Sequence, residues 1–129
     1  MITIGGFMWE IILYQREDGS CPVEDFITSI DDPKLKAKIL KDIDLLEKFG
    51  NLLKKPHSLA LRDIRGSMFE LRSKQSSNIT RLFYYFKSNN NIILLHAYTK
   101  KSSKTPSNEL TKAYKYKLDW EKRNHAKNI

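Results

Sequence analysis

The sequence predicts a single α+β domain, with an N-terminal strand and a helical hairpin packed on a three- to four-stranded antiparallel sheet and a C-terminal helix. Apolar residues recur at helical spacing in the first half of the chain and near its end, whereas between these segments they alternate with a period of two. A chain of 129 residues, 40% of them hydrophobic, can bury one core, and no internal repeat is visible. We therefore expect residues 1–129 to form one domain.

The first half of the chain predicts one strand and two helices. Trp9–Tyr14 is an apolar run rich in β-forming residues, which predicts the strand. Pro22 suits the first turn of a short helix. Asp32 followed by Pro33 predicts the start of a second helix, because an aspartate cap and a proline at the first helical position favour the same boundary. Gly50 is expected to end that helix.

The second half predicts an antiparallel meander and a last helix. Its three strands are expected at Met68–Arg72, Ile79–Phe86 and Ile92–Thr99, separated by polar turns, with the last strand in the centre. The segment Asn51–Ala60 is expected to be a loop. A further cap and proline, Thr105–Pro106, predict the start of the C-terminal helix.

Both ends of the chain are expected to lie outside the core. Met1–Phe7 precedes a second possible start at Met8 and is interpreted as a dispensable extension. Residues from about 124 to 129 are expected to form a frayed tail.

Positive charge is concentrated towards the C-terminal end. The net charge is +8; residues 1–98 contain 14 Lys and Arg against 12 Asp and Glu, whereas residues 99–129 contain 9 against 3. A basic segment of this kind is typical of proteins that bind polyanions, with nucleic acid first and an acidic protein second. The alternative is a lysine-rich segment that only keeps the protein in solution.

The composition excludes several classes of protein. Cys21 is the single cysteine, which excludes an intramolecular disulfide, and with three scattered histidines it does not make a zinc site. We therefore expect a cytoplasmic protein with no metal and no other cofactor. The longest apolar run, Ile92–Leu95, is far below the roughly 20 residues that cross a bilayer, so no membrane partner is expected.

Four polar side chains are predicted to share one face of the sheet, because side chains alternate along each strand. A tight turn between the first two strands of the meander would place Glu70 opposite Arg81 and Arg72 opposite Ile79. The next turn would place Tyr98 opposite Arg81. An arginine in so apolar a strand needs partners. Two interpretations stay open, a structural ion pair between Glu70 and Arg81 and a pocket for a phosphate.

The phosphate pocket gains support from the basic loop that contains Lys100, Lys101 and Lys104. Arginines and lysines on a concave sheet would hold a phosphate, because each guanidinium group binds two phosphate oxygens. RNA carries its own nucleophile, the 2′-hydroxyl, so the pocket has only to align it, stabilise negative charge and move protons. A lysine crowded by arginines loses its proton more easily and can act as a base. The sequence therefore permits a metal-independent ribonuclease.

Two histidines have different expected roles. His57 lies in the loop before the meander and is free to point at a ligand. His96 interrupts an apolar strand and is interpreted as a hydrogen-bonded core residue.

Three segments form a familiar pattern in the order Gly66–Arg72, Thr80–Tyr84 and Ile93–Pro106. Glu109 and Ala113 on the following helix complete it. Together these residues make the stretch 61–113 resemble the HigB-like branch of the RelE toxin superfamily, whose members include phage-derived proteins. The N-terminal strand and helices also fit in order and length, so the resemblance covers nearly the whole chain and implies a small RelE-like fold.

The resemblance implies the toxin of a type II toxin–antitoxin pair, a metal-independent endoribonuclease that cleaves mRNA in the ribosomal A site. A helix-turn-helix antitoxin, the ribosome and mRNA are the implied partners. By motif position, the two arginines would bind the scissile phosphate and the lysines would hold RNA or supply acid–base help. The predicted catalytic residues are Arg72, Arg81, Tyr98, Lys100 and Lys101. The predicted RNA-binding residues are His57, Lys74, Lys104 and Lys112.

Two alternatives to catalysis stay open. The basic face could hold RNA, DNA or an acidic partner without cutting anything, in which case binding would fall steeply with salt and leave no cleavage products. The chain could also be a degenerate phage-derived relative whose fold serves only to form a complex.

Overall fold

The structure is a computed structural model that describes residues 9–54, 57–61, 67–88, 90–100 and 106–124. The expected N-terminal extension, and residues 125–129 of the expected frayed tail, lie outside the described residues. Asn124 is the last helical residue, and its side-chain amide donates a hydrogen bond of 2.9 Å to the backbone oxygen of Trp120.

Three helices and five strands make up the described chain. The strands are β1 (Glu10–Leu13), β2 (Ser58–Leu61), β3 (Met68–Gln75), β4 (Asn78–Lys87) and β5 (Asn91–Lys100). The helices are α1 (Pro22–Ser29), α2 (Pro33–Phe49) and α3 (Ser107–Asn124), and a short 3₁₀ turn, Gly50–Leu52, follows α2.

The five strands form one mixed sheet in the order β1-β5-β4-β3-β2. The α+β class and the antiparallel meander β3-β4-β5 are confirmed. The expected strand count and the expected centre were wrong: β1 pairs in parallel with β5, which therefore lies between β1 and β4, and β4 occupies the middle. The expected loop 51–60 overlaps the 3₁₀ turn and β2, and the four residues of β2 are too few to show an alternating pattern.

Each face of the sheet has its own apolar core. Helices α1 and α2 cover one face, where the buried residues are Val23, Leu46, Leu71, Leu82, Tyr84, Ile92, Leu94 and Ala97. Helix α3 covers the other face, where the buried residues are Tyr14, Met68, Phe83, Tyr85, Ile93, Leu95 and Ala113. The sheet is therefore buried on both sides, which explains why β4 and β5 are almost continuously apolar.

The predicted boundaries of α2 are confirmed. The Asp32 carboxylate accepts a hydrogen bond of 3.0 Å from the backbone N–H of Lys34, and Pro33 occupies the first helical position. Gly50 ends the helix with a φ of +50°. That left-handed geometry lets the chain reverse towards the sheet.

The register of the β3–β4 hairpin differs by two residues from the expected one. The turn lies at residues 76–77, where Ser76 has a φ of +56°, and it pairs Arg72 with Arg81. The expected turn, one residue earlier, would have paired Glu70 with Arg81. A shift of two residues preserves the faces of a strand, so Glu70 and both arginines still share one side. The predicted pairing of Arg81 with Tyr98 is confirmed.

We expect Gly50→Ala to lower the free energy of unfolding by about 2–4 kcal/mol, because the new methyl group combines a positive φ with a collision against the Trp9 indole. Gly19→Ala is the matched control, since Gly19 has a φ of +89° but no atom within 4 Å of the added carbon. It should cost only about 1 kcal/mol. Urea denaturation followed by circular dichroism measures both, and equal losses would contradict the packing argument.

Candidate functional site

A buried carboxylate organises both arginines of the meander. Glu70 Oε1 accepts a hydrogen bond of 2.5 Å from Arg81 Nη1 and another of 3.0 Å from Arg72 Nε. Glu70 and Arg81 are fully buried, whereas the Arg72 side chain is 36% exposed. The structural ion pair considered for Arg81 is therefore present. Of the two arginines, Arg72 is the one that reaches the surface.

A cavity of about 380 Å³ lies beside Arg72 at the edge of the sheet. It forms beside the first residue of β2, because the pairing of β2 with β3 reaches no further than Ser58 and Leu71 and one last hydrogen bond of 2.8 Å joins the Arg72 N–H to the His57 oxygen. We call it the edge cavity, and its lining residues are Lys38, His57, Arg72, Lys74 and Ile79. Three of the residues predicted to bind or cleave RNA thus meet in one cavity.

Lys38 of α2 also belongs to the edge cavity, although it was not among the predicted site residues. Its ammonium group lies 2.8 and 2.9 Å from the two carboxylate oxygens of Asp42, one helical turn further along. This contact holds the Lys38 side chain across the helix surface towards the sheet.

Asp42 was missed by sequence reasoning altogether. It is fully buried between α2 and the sheet, where it also accepts a hydrogen bond of 2.7 Å from Ser73 Oγ. A signal was available, because the buried positions of α2 are Leu35, Ile39, Asp42 and Leu46, and a charged residue within that apolar stripe is unusual.

The electrostatics of the edge cavity favour an anion. Lys38, Arg72 and Lys74 contribute three positive side chains to its lining, and none of the described residues that line it is acidic. The two carboxylates that balance part of this charge, Asp42 and Glu70, lie buried behind the lining. An anion in the cavity therefore meets cations first.

Tyr98 and Lys100 lie on the same face of the sheet as the arginines. Tyr98 pairs with Arg81, and its ring stacks on Phe83 with centroids 5.9 Å apart. Lys100 pairs with Ile79, whose side chain forms part of the edge cavity, so this lysine lies next to the cavity wall. Lys101 and Lys104, the other lysines of the predicted basic loop, lie outside the described residues.

The remaining predicted RNA-binding residue, Lys112, does not line the edge cavity. It lines a separate cavity of about 300 Å³ between α1 and α3, together with Arg16, Asp25 and His96. His96 Nε2 lies 3.3 Å from Glu109 Oε1, which confirms the expected hydrogen-bonded core residue. Burial lowers the pKa of His96 below its ordinary value, and Glu109 opposes that shift only in part.

Residues 25–117 match the sequence model of a family described as phage-derived protein Gp49-like. This chain belongs to that family. The match covers well over half of the chain and includes all the described residues that line the edge cavity. The Gp49-like family is associated with RelE-like toxins of toxin–antitoxin systems. A search of curated proteins found no match to this Gp49-like chain.

The described residues of the Gp49-like chain contain neither a membrane-spanning helix nor a cluster of metal ligands. No described helix is long and apolar enough to span a bilayer. In the described segments, His, Cys, Asp and Glu side chains nowhere form a group of three or more that could hold a metal ion.

We expect Arg81→Ala to lower the free energy of unfolding by about 3–5 kcal/mol, because it removes the buried partner that contacts the Glu70 carboxylate most closely among the described residues. Arg72→Ala removes a partly exposed partner of the same carboxylate and should cost only about 1 kcal/mol. Urea denaturation compares the two variants. Similar losses would show that the two arginines are equivalent supports.

We expect the free energy of unfolding to fall as the pH drops below about 6.5, the ordinary pKa of histidine. Protonation of His96 should contribute to that fall. The folded protein resists protonation of His96, whereas the unfolded chain accepts the proton, so acid favours unfolding. In His96→Gln the free energy of unfolding should decline less steeply between pH 7 and pH 5. Parallel declines in the two proteins, measured by urea denaturation at each pH, would exclude this contribution.

Proposed function

We propose that this protein is the toxin of a type II toxin–antitoxin pair, and that it cleaves mRNA on the ribosome through the 2′-hydroxyl of the substrate and without a metal. The observation that carries the proposal is the convergence of His57, Arg72 and Lys74 in the edge cavity. Membership of a family associated with RelE-like toxins supports the same function.

Arg72 is the proposed phosphate ligand. Glu70 fixes its Nε from inside the sheet, which directs the rest of the planar guanidinium group outwards, where it can donate to two phosphate oxygens. In this assignment Arg81 acts through Glu70, because its contact with Glu70 holds the carboxylate that orients Arg72.

Charge stabilisation is the largest contribution that the edge cavity can make to cleavage. When the 2′-oxygen attacks phosphorus, an additional negative charge develops on the phosphate oxygens. Fixed cations aimed at that charge contribute roughly 3–4 kcal/mol per donor. Arg72, Lys74 and Lys38 all line the cavity where the phosphate would lie.

The reaction forms a bond between the 2′-oxygen and phosphorus and breaks the bond between phosphorus and the 5′-oxygen. A base takes the proton of the 2′-hydroxyl, and an acid protonates the departing 5′-oxygen, which leaves a 2′,3′-cyclic phosphate. Acid–base help of this kind contributes about 10²–10⁴-fold in rate. Lys100, beside the cavity wall, and Tyr98, next to Arg81, are two described residues proposed for proton transfer, and Lys101 and Lys104 extend the same basic segment.

A helix-turn-helix antitoxin is the proposed protein partner, and the ribosome with its mRNA is the proposed target. The association of the family with toxin–antitoxin systems supports the antitoxin partner. The ribosome would present a single-stranded mRNA whose phosphates are accessible to a cavity at the edge of a sheet.

We expect the wild-type protein to cleave mRNA on translating ribosomes and Arg72→Ala to lower the cleavage rate by about 10²–10³-fold, because a charge-stabilising donor is lost. Arg72→Lys keeps the charge but not the planar fork, and should lie between the two. Primer extension on a translated message measures the cut sites and the rates.

Lys41→Gln is the matched control, since Lys41 is an exposed lysine of α2 that does not line the edge cavity. It should cleave at the wild-type rate, and circular dichroism should show all variants folded. Equal cleavage by wild type and Arg72→Ala would overturn the assigned site. Salt-sensitive RNA binding without any cleavage by the wild type would overturn the enzymatic function and favour a binding module.

A further inference from the structure

The carboxylate of Asp42 faces a histidine of the edge cavity in addition to its two hydrogen-bond donors. Oδ2 accepts from Ser73 Oγ, and both oxygens accept from Lys38 Nζ. His57 Nδ1 lies 4.0 Å from Oδ1, the oxygen that Lys38 contacts at 2.8 Å. A carboxylate offers about four acceptor positions, so Oδ1 can accept from the imidazole as well as from the ammonium group.

The position of Asp42 is costly for the fold. A carboxylate that is fully buried loses several kcal/mol of hydration, and an apolar residue at this point of the α2 stripe would avoid that cost. Lys38 and Ser73 offset the loss but do not explain why a charge lies there. Its closeness to a cavity histidine supplies a chemical reason.

The backbone of His57 is held by two hydrogen bonds. Its N–H donates to the Lys54 oxygen at 3.0 Å, and its own oxygen accepts from Arg72. The side chain is 39% exposed and lines the edge cavity. A ring movement of roughly 1 Å would bring Nδ1 within hydrogen-bond distance of Asp42. Because the bonding directions of the two ring nitrogens diverge widely, this contact directs Nε2 away from Asp42.

We propose that Asp42 is a positioning residue that orients His57 and favours its protonated form. Lys38 weakens this effect because it competes for the same carboxylate oxygen. The oriented His57 donates a proton to the bound phosphodiester. Among the described residues, the charged groups that face the imidazole or line the cavity with it are Asp42 and Lys38 from α2 and Arg72 and Lys74 from β3. The cations disfavour the imidazolium ion and the carboxylate favours it. A phosphate in the cavity adds negative charge, so RNA binding itself favours the protonated ring.

The proton-transfer step rests on the proposed function. Nε2–H of His57 gives its proton to the 5′-oxygen as the bond between that oxygen and phosphorus breaks. The 2′-hydroxyl proton passes to a separate base, for which Lys100 is the described residue, as the new bond to phosphorus forms. The histidine ends the step neutral and recovers a proton from solvent.

The coupling between His57 and its neighbours is tested without any activity, by NMR titration of ¹³C-labelled histidine rings in the full-length protein. His57→Gln assigns the signal by its loss. Lys38→Gln should raise the titration midpoint of His57, and Asp42→Asn should lower it, each by about 0.5–1 pH unit, because an opposite charge nearby favours the charged ring. Lys41→Gln removes an exposed charge from the same helix and should leave the midpoint in place.

Opposite shifts in the two variants are the expected result. Asp42→Asn disturbs a buried contact, so circular dichroism must first show that it folds. If it does not fold, Lys38→Gln decides, since its side chain is only partly buried. A midpoint that stays within error in Lys38→Gln overturns the proposal, whatever the protein does to RNA.

Cleavage assays separate the proton-transfer role from the proposed function. His57→Gln should cleave about 10²-fold more slowly than the wild type, and its pH–rate profile should lose the limb that reports the protonation of His57. In Lys38→Gln that limb should remain and move in the same direction as the NMR midpoint. A His57→Gln protein that cleaves at the wild-type rate overturns the proton transfer while the ribonuclease stands. A wild type that never cleaves overturns the ribonuclease, and the titration still decides the coupling.

Discussion

The ion pair between Glu70 and Arg81 is the constraint on which the edge cavity depends. Removing both charges from water costs several kcal/mol per ion, and the short contact between them offsets that cost only while β3 and β4 keep their register. The same carboxylate oxygen accepts from Arg72, so a contact inside the sheet determines where a surface guanidinium lies. A phosphate at this edge meets an arginine that is already oriented, which reduces the entropy lost on binding.

Two buried carboxylates each hold one cation at the edge of the sheet. Glu70 lies within the sheet and holds Arg72, whereas Asp42 lies under α2 and holds Lys38. Acidic groups are therefore inside and basic groups face the cavity, so the cations remain oriented without presenting a negative surface to an anion. The cavity itself exists because β2 begins only at Ser58, opposite Leu71, so that the rest of β3 pairs with β4 alone.

Part of the site could be predicted because it follows from the alternation of side chains. Glu70, Arg72 and Arg81 were expected on one face, and a hairpin register shifted by two residues did not change that. Asp42 was not expected, because its partners Ser73 and His57 lie far away in sequence. Strand β2 was missed for a related reason, since four residues show too little pattern without the strand they pair with.

The sequence by itself determined the helices, the meander and the shared face of the arginines, because caps, prolines and periodic apolar residues act over a few positions. Only the tertiary structure decided the parallel pairing of β1 with β5, the burial of Arg81 and the place of Asp42 beneath the cavity. These features depend on contacts between distant segments, whose energies arise from burial and charge pairing that no local pattern records.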